Sequence, residues 1–87
     1  MLVIIAKELS KKDNGQLSTL LYKVSPNIFI GNVSGKVRQK IIENIIIKNS
    51  IMACVIYDYP NEQGFIVEEF NNCNIFSTLN HIKLVKK

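Results

Sequence analysis

The alternation of apolar and polar positions divides the chain into short segments. Residues 2–6 are an unbroken apolar run of mainly β-branched character, closed by Lys7 and Glu8, and predict a central strand covered on at least one face. Residues 9–15 are polar, with turn chemistry in Asp13, Asn14 and Gly15, and read as an exposed loop with Lys11 and Lys12 at its tip. Over residues 16–24, Leu17, Leu20, Leu21 and Val24 recur at the spacing of one helical face, predicting a short helix that stops before Pro26. Residues 27–31 predict a second strand, with Ile28 and Ile30 on one face and Phe29 on the other.

A helix is expected after Gly31, with Ser34 as its N-cap and, because Val37 stands three residues on, no capping box. At 100 degrees per residue, Val37, Ile41, Ile42, Ile45 and Ile46 share one broad side, and Lys36, Lys40 and Glu43 the other. Isoleucine is a mediocre helix former, but Glu43 and Asn44 interrupt the run where a buried strand would not accept both, so the period decides for helix. Ile47 falls on the polar side, as a partner contact or a frayed end. Arg38 falls in the middle of the apolar side and needs a way past the helix end, or a carboxylate, a carbonyl or a bound phosphate to meet.

Residues 50–57 and 64–70 predict two further strands, joined through a Pro- and Asn-containing hairpin connection. Residues 71–79 read as irregular, and Ile82, Leu84 and Val85 as a short final strand. Together these predict one α+β domain over residues 1–87, with helices stacked on one face of a mainly antiparallel sheet.

Composition adds two expectations. A domain of 87 residues buries only about 60–65% of the surface its unfolded chain exposes. With 47% hydrophobic residues it has more apolar surface than one small core needs, which points to a homo-oligomer. The net charge of +4 hides an asymmetry: residues 1–48 hold eight bases and three acids, residues 49–80 four acids and no base, and the tail three lysines. A basic half beside an acidic half suits a protein that holds a polyanion with one surface, although a solvated charged face explains the charge alone equally well.

Lys11, Lys12, Lys36, Arg38 and Lys40 are the candidate phosphate-contacting set, since such side chains grip a nucleic-acid backbone without reading sequence. Ser34 would add a donor, although a plain capping role suffices for it. Catalysis has thinner support, because a metal nuclease needs several oxygens converging on one point and Glu8, Asp13, Asp58, Glu68 and Glu69 are scattered. Glu68 and Glu69 are adjacent in a strand and point to opposite faces, and His81 has no partner in sequence. Glu8 is the one weak catalytic or metal candidate. Tyr22, Tyr57 and Tyr59 are expected as core or loop anchors, not as base-stacking platforms. Cys54 and Cys73 show no metal-ligand spacing, and Cys54 reads as a small core residue. No run is long enough to span a membrane and the start lacks a basic leader, so a cytoplasmic location is expected.

The opening MLVIIAKE, the string Gly31, Val33, Ser34, Lys36 and Arg38, and the Met52 strand followed by a hairpin and Gly64-Phe65 resemble a known family. It is the small CRISPR-associated adaptation protein, number two of that nomenclature, in its type I-E branch. The resemblance implies a ferredoxin-like two-layer sandwich with two helices on one face, a homodimer, and a role in antiviral defence. In that role the dimer binds double-stranded prespacer DNA and bridges two dimers of the adaptation integrase, the number-one protein, during spacer acquisition. Members of the wider family are assigned metal-dependent endonuclease activity on RNA or DNA, which would require magnesium; the scaffold role requires no cofactor.

Four departures stand out. An acidic residue is expected where this chain has Lys7, with Glu8 one residue out of phase and so on the other face of a strand. Of the backbone-clamping bases expected near Lys12 and Asn14 only Lys12 keeps its charge, with Lys11 as a substitute. Residues 71–74, where a basic pair is expected, are uncharged, and the tail that docks on the integrase is short.

Overall fold

A computed structural model describes residues 1–73 of the chain. Its elements are β1 (Leu2–Ala6), α1 (Lys11–Leu20), β2 (Tyr22–Ser25), β3 (Ile28–Gly31), α2 (Gly35–Ile41) with a π-helical continuation (Ile42–Ile47), β4 (Ala53–Asp58) and β5 (Phe65–Phe70). The strands form one antiparallel sheet in the order β2-β3-β1-β4-β5. Strands one to four with the two helices make the α+β arrangement of a ferredoxin-like sandwich, and β5 extends the sheet beside β4.

The register sorts side chains by face. Ile4 stands opposite Phe29 on one side and Val55 on the other, and Leu2 stands opposite Tyr57. These residues turn toward the helices and pack with Leu17, Leu21, Ile41, Ile42, Ile45, Ile46 and Ile51 into the main core. Val3, Ile5, Ile28, Ile30 and Ile56 alternate to the other face and are half-buried.

Residues 9–15 correct the sequence reading, because they do not form a loop. Ser10 caps α1 by accepting from the Asp13 amide at 3.1 Å, and Asp13 in the first turn suits the positive end of the helix dipole. Asn14 spends its side chain on tertiary bonds, donating to the Pro26 carbonyl and accepting from the Lys23 ammonium at 3.0 Å. The helix expected over residues 16–24 therefore starts earlier and ends at Leu20, and residues 22–25 are an edge strand in hairpin with β3. Of the four expected face residues, Leu17 and Leu21 are buried, whereas Leu20 and Val24 are exposed. A register shift between Lys23 and Ser25 bulges this edge, which blunts it against further pairing. At Gly31, a β-carbon would stand 2.8 Å from the Leu21 side chain, so the bare backbone makes room for a core leucine.

The second helix lies where the period put it. The Ser34 hydroxyl accepts from the Val37 amide at 3.2 Å, as an N-cap does. Beyond Ile41 the winding widens to a π form over Ile42–Ile47. Ile42, Ile45 and Ile46 stay on the sheet side and Ile47 is exposed. The Ile46 carbonyl is satisfied from outside the helix, by the Ile51 amide at 2.9 Å and the Asn71 side chain at 3.3 Å. Gly64 takes a φ of 85° in the β4–β5 hairpin, where its carbonyl accepts from the Tyr59 amide. The strand expected at Ile82, Leu84 and Val85 lies outside the described residues.

Candidate nucleic-acid interface at the two ends of the helical layer

The topology separates the five candidate cations into two groups. Where β1 ends, Ala6 stands opposite Ala53 and the Lys7 amide donates to the Met52 carbonyl. Here α1 begins and the π segment finishes, joined by the Asn49 side chain donating to Asp13 at 3.0 Å. Lys11 and Lys12 therefore project from the first turn of α1 at this end, with Lys7 and Lys48 nearby in the chain path, all four exposed. The other end is where Gly31 meets Leu2 and Leu2 meets Tyr57, and there α2 begins with Lys36 and Arg38. Lys40 follows one turn on, exposed. The 13 residues of α2 and its continuation set the two ends roughly 20 Å apart.

Arg38 has a partner outside the set expected from the sequence. Its guanidinium lies over the Tyr57 ring, 3.8 Å from the centroid. Among the described residues it makes no salt bridge to a carboxylate. Cation–π contact suits an arginine on an apolar helix face, because the ring accepts the flat cation without a formal charge being buried opposite it. Gly35 leaves space beside it, since a β-carbon there would stand 3.7 Å from Nη2. The Nε atom is buried and has no hydrogen-bond partner among the described residues. The cue in sequence was the arginine on the apolar side; its seat is 19 positions away on a strand and could be found only from the fold.

The lysines differ from Arg38 in being fully available. Among the described residues none of Lys7, Lys11, Lys12, Lys36, Lys40 and Lys48 is in a salt bridge, and the ion pair present joins the Met1 amine to Asp58. Glu43, the nearest acid in sequence to Lys40, is bonded instead to Gln39 at 2.9 Å.

Carboxylates do not gather. Glu68 turns to the helix face and is buried, while Glu69 turns to the open face, where its Oε2 lies 3.9 Å from the Cys54 sulfur. Glu8 is exposed after β1, beside exposed Lys7. Among the described residues no three His, Cys, Asp or Glu side chains are placed to hold a metal ion. A magnesium ion takes near-octahedral oxygen ligation. Glu8 supplies one carboxylate per subunit to any such ion. Of the tyrosines, Tyr57 is a core residue, whereas Tyr22 and Tyr59 are exposed.

The family model described as CRISPR-associated protein (Cas_Cas2CT1978) matches residues 1–78. The chain belongs to this family. Its role is accordingly CRISPR-associated, and the cationic helix ends are the ends of a Cas2-type fold. No curated protein matches the chain. Among the described residues no helix is long and apolar enough to cross a membrane.

Proposed function

We propose that this Cas2-family chain is the scaffold subunit of a type I-E spacer-acquisition complex. It forms a single ferredoxin-like domain over residues 1–87, dimerises, grips the backbone of a prespacer duplex and bridges two integrase dimers in the cytoplasm. The observation that carries the reading is the pair of exposed lysine groups at the two ends of the helical layer, none of them neutralised by an acid among the described residues. Two groups roughly 20 Å apart on one subunit suit a duplex, whose charges continue along its length, better than a compact anion. Dimerisation is supported by the half-buried apolar face of Val3, Ile5, Ile28, Ile30 and Ile56, which no described helix covers. Lys11, Lys12, Lys36 and Lys40 make the phosphate contacts; Arg38, seated on Tyr57, contributes its charge at the α2 end without leaving the ring.

The test is duplex binding as a function of salt. With about three of the four lysines of each subunit on a phosphate at once, a dimer makes about six contacts and has a slope of log affinity against log salt near −5. Reversal of Lys11 and Lys12 to Glu, or of Lys36 and Lys40 to Glu, is expected to remove about two to four contacts per dimer, each weakening binding and flattening the slope. Unchanged affinity at low salt in both variants would remove the reason for placing DNA there. Glu8→Ala separates scaffold from nuclease. Loss of spacer acquisition with assembly and duplex binding intact would assign this carboxylate a catalytic part.

A further inference from the structure

The open face of the sheet holds a feature that none of these roles uses. The chain has two cysteines, 19 positions apart, and the fold puts them in contact: the sulfurs of Cys54 and Cys73 are 3.3 Å apart, both buried, both thiols. Cys54 is on β4, opposite Ile5 and Glu69, and packs with Val67, Met52, Ile56 and Phe65. Cys73 reaches it from the turn that ends β5. That turn is a defined structure. Asn71 and Asn72 take left-handed backbone, with φ of 56° and 63°, and the Cys73 amide donates to the Phe70 carbonyl at 3.1 Å. The Asn71 side chain bonds the Ile51 carbonyl at 2.7 Å. The turn thus delivers one sulfur onto the other from a fixed base.

A buried cysteine is ordinarily a small apolar residue, and alanine or valine would fill either position. What only this pair of residue types can do is bond to each other. The S–S length of about 2.05 Å is reached by a shift of roughly an ångström.

We propose that Cys54 and Cys73 are a reversible dithiol–disulfide couple, oxidised by hydrogen peroxide, that pins the chain leaving β5 to the sheet. One sulfur attacks a peroxide oxygen, the O–O bond breaks, and a sulfenic acid forms with release of one water. The second sulfur attacks the sulfenic sulfur, the S–S bond forms, and the hydroxyl leaves as a second water. Two thiols and one peroxide give one disulfide and two waters, the two electrons passing from sulfur to oxygen. A cellular dithiol reverses the step by exchange. Residues 74–87, with Lys83, Lys86 and Lys87, then follow either a covalent anchor or a packed turn.

The full-length protein is treated with a small excess of hydrogen peroxide, unfolded in the presence of an alkylating agent and weighed intact. The expected product lacks two hydrogens and takes no alkyl group, while dithiothreitol restores two adducts. Its melting temperature is expected to rise by roughly 10 °C or more, because the bond closes a loop in the unfolded chain. Cys54→Ser and Cys73→Ala each abolish the rise, but the wild-type measurement stands without them. Two alkylatable thiols after peroxide, sulfinic or sulfonic products alone, bridges only between molecules, or equal melting temperatures in the two states would each overturn the proposal.

Discussion

The two faces of the sheet are built from the same kinds of residue and end in different states. On one, Ile4, Phe29 and Val55 are wholly buried under two helices. On the other, Val3, Ile5, Ile28, Ile30 and Ile56 are as apolar but only half-buried, and the fully buried residues are the small cluster of Cys54, Val67 and Cys73 beneath the turn after β5. The alternation along β1 and β3 is therefore of two hydrophobic faces, not of a core face and a wet one. A chain of this length could have placed Lys or Thr on the open side at no cost to the core. That it did not implies the second face is covered by something other than the described helices, and a second copy of the chain is the occupant we propose.

Phe29 and Ile30 are neighbours on opposite faces and offer the sharpest contrast. Phe29→Ala should cost about 3–5 kcal/mol in chemical denaturation, enough to leave so small a domain near its unfolding threshold. Ile30→Lys should leave the subunit folded and shift a dimer to monomer, with association weakened roughly 100-fold, about 2.7 kcal/mol, in sedimentation equilibrium. A dimeric Ile30→Lys protein would remove the open face from the interface; an unfolded one would show that it is core.

Smaller effects probe how the helical layer is fastened at its α2 end. A double-mutant cycle with Arg38→Met and Tyr57→Leu should give a coupling of about 0.5–2 kcal/mol, the range for a partly desolvated cation–π pair. Zero coupling would mean that the stack contributes nothing and that Arg38 is available to a ligand. Ser34→Ala should cost about 1 kcal/mol through loss of the bond to the Val37 amide, with no effect on association.

Much was legible in the chain itself. The first strand, the capped second helix with its apolar side, the last hairpin and the opposed Glu68 and Glu69 all follow from period and local chemistry, which act over a few residues. The misreading over residues 9–25 has the same origin. Asp13, Asn14 and Gly15 carry turn chemistry, yet Ser10 caps them into a helix and Asn14 finds Pro26 and Lys23 across the hairpin, bonds that exist only once β2 has folded beside α1. The family string Gly31, Val33, Ser34, Lys36 and Arg38 was likewise readable, and the match over residues 1–78 agrees with it.

Tertiary structure alone decided which of those residues meet. It split Lys11 and Lys12 from Lys36 by the length of a helix, seated Arg38 on Tyr57, and brought Cys54 to Cys73. None of these pairs is near enough in sequence to interact through a shared turn or strand. The physical reason is that periodicity specifies which side of an element a residue occupies, whereas contact between sides is set by strand order and register. In this chain the order β2-β3-β1-β4-β5 carried that information.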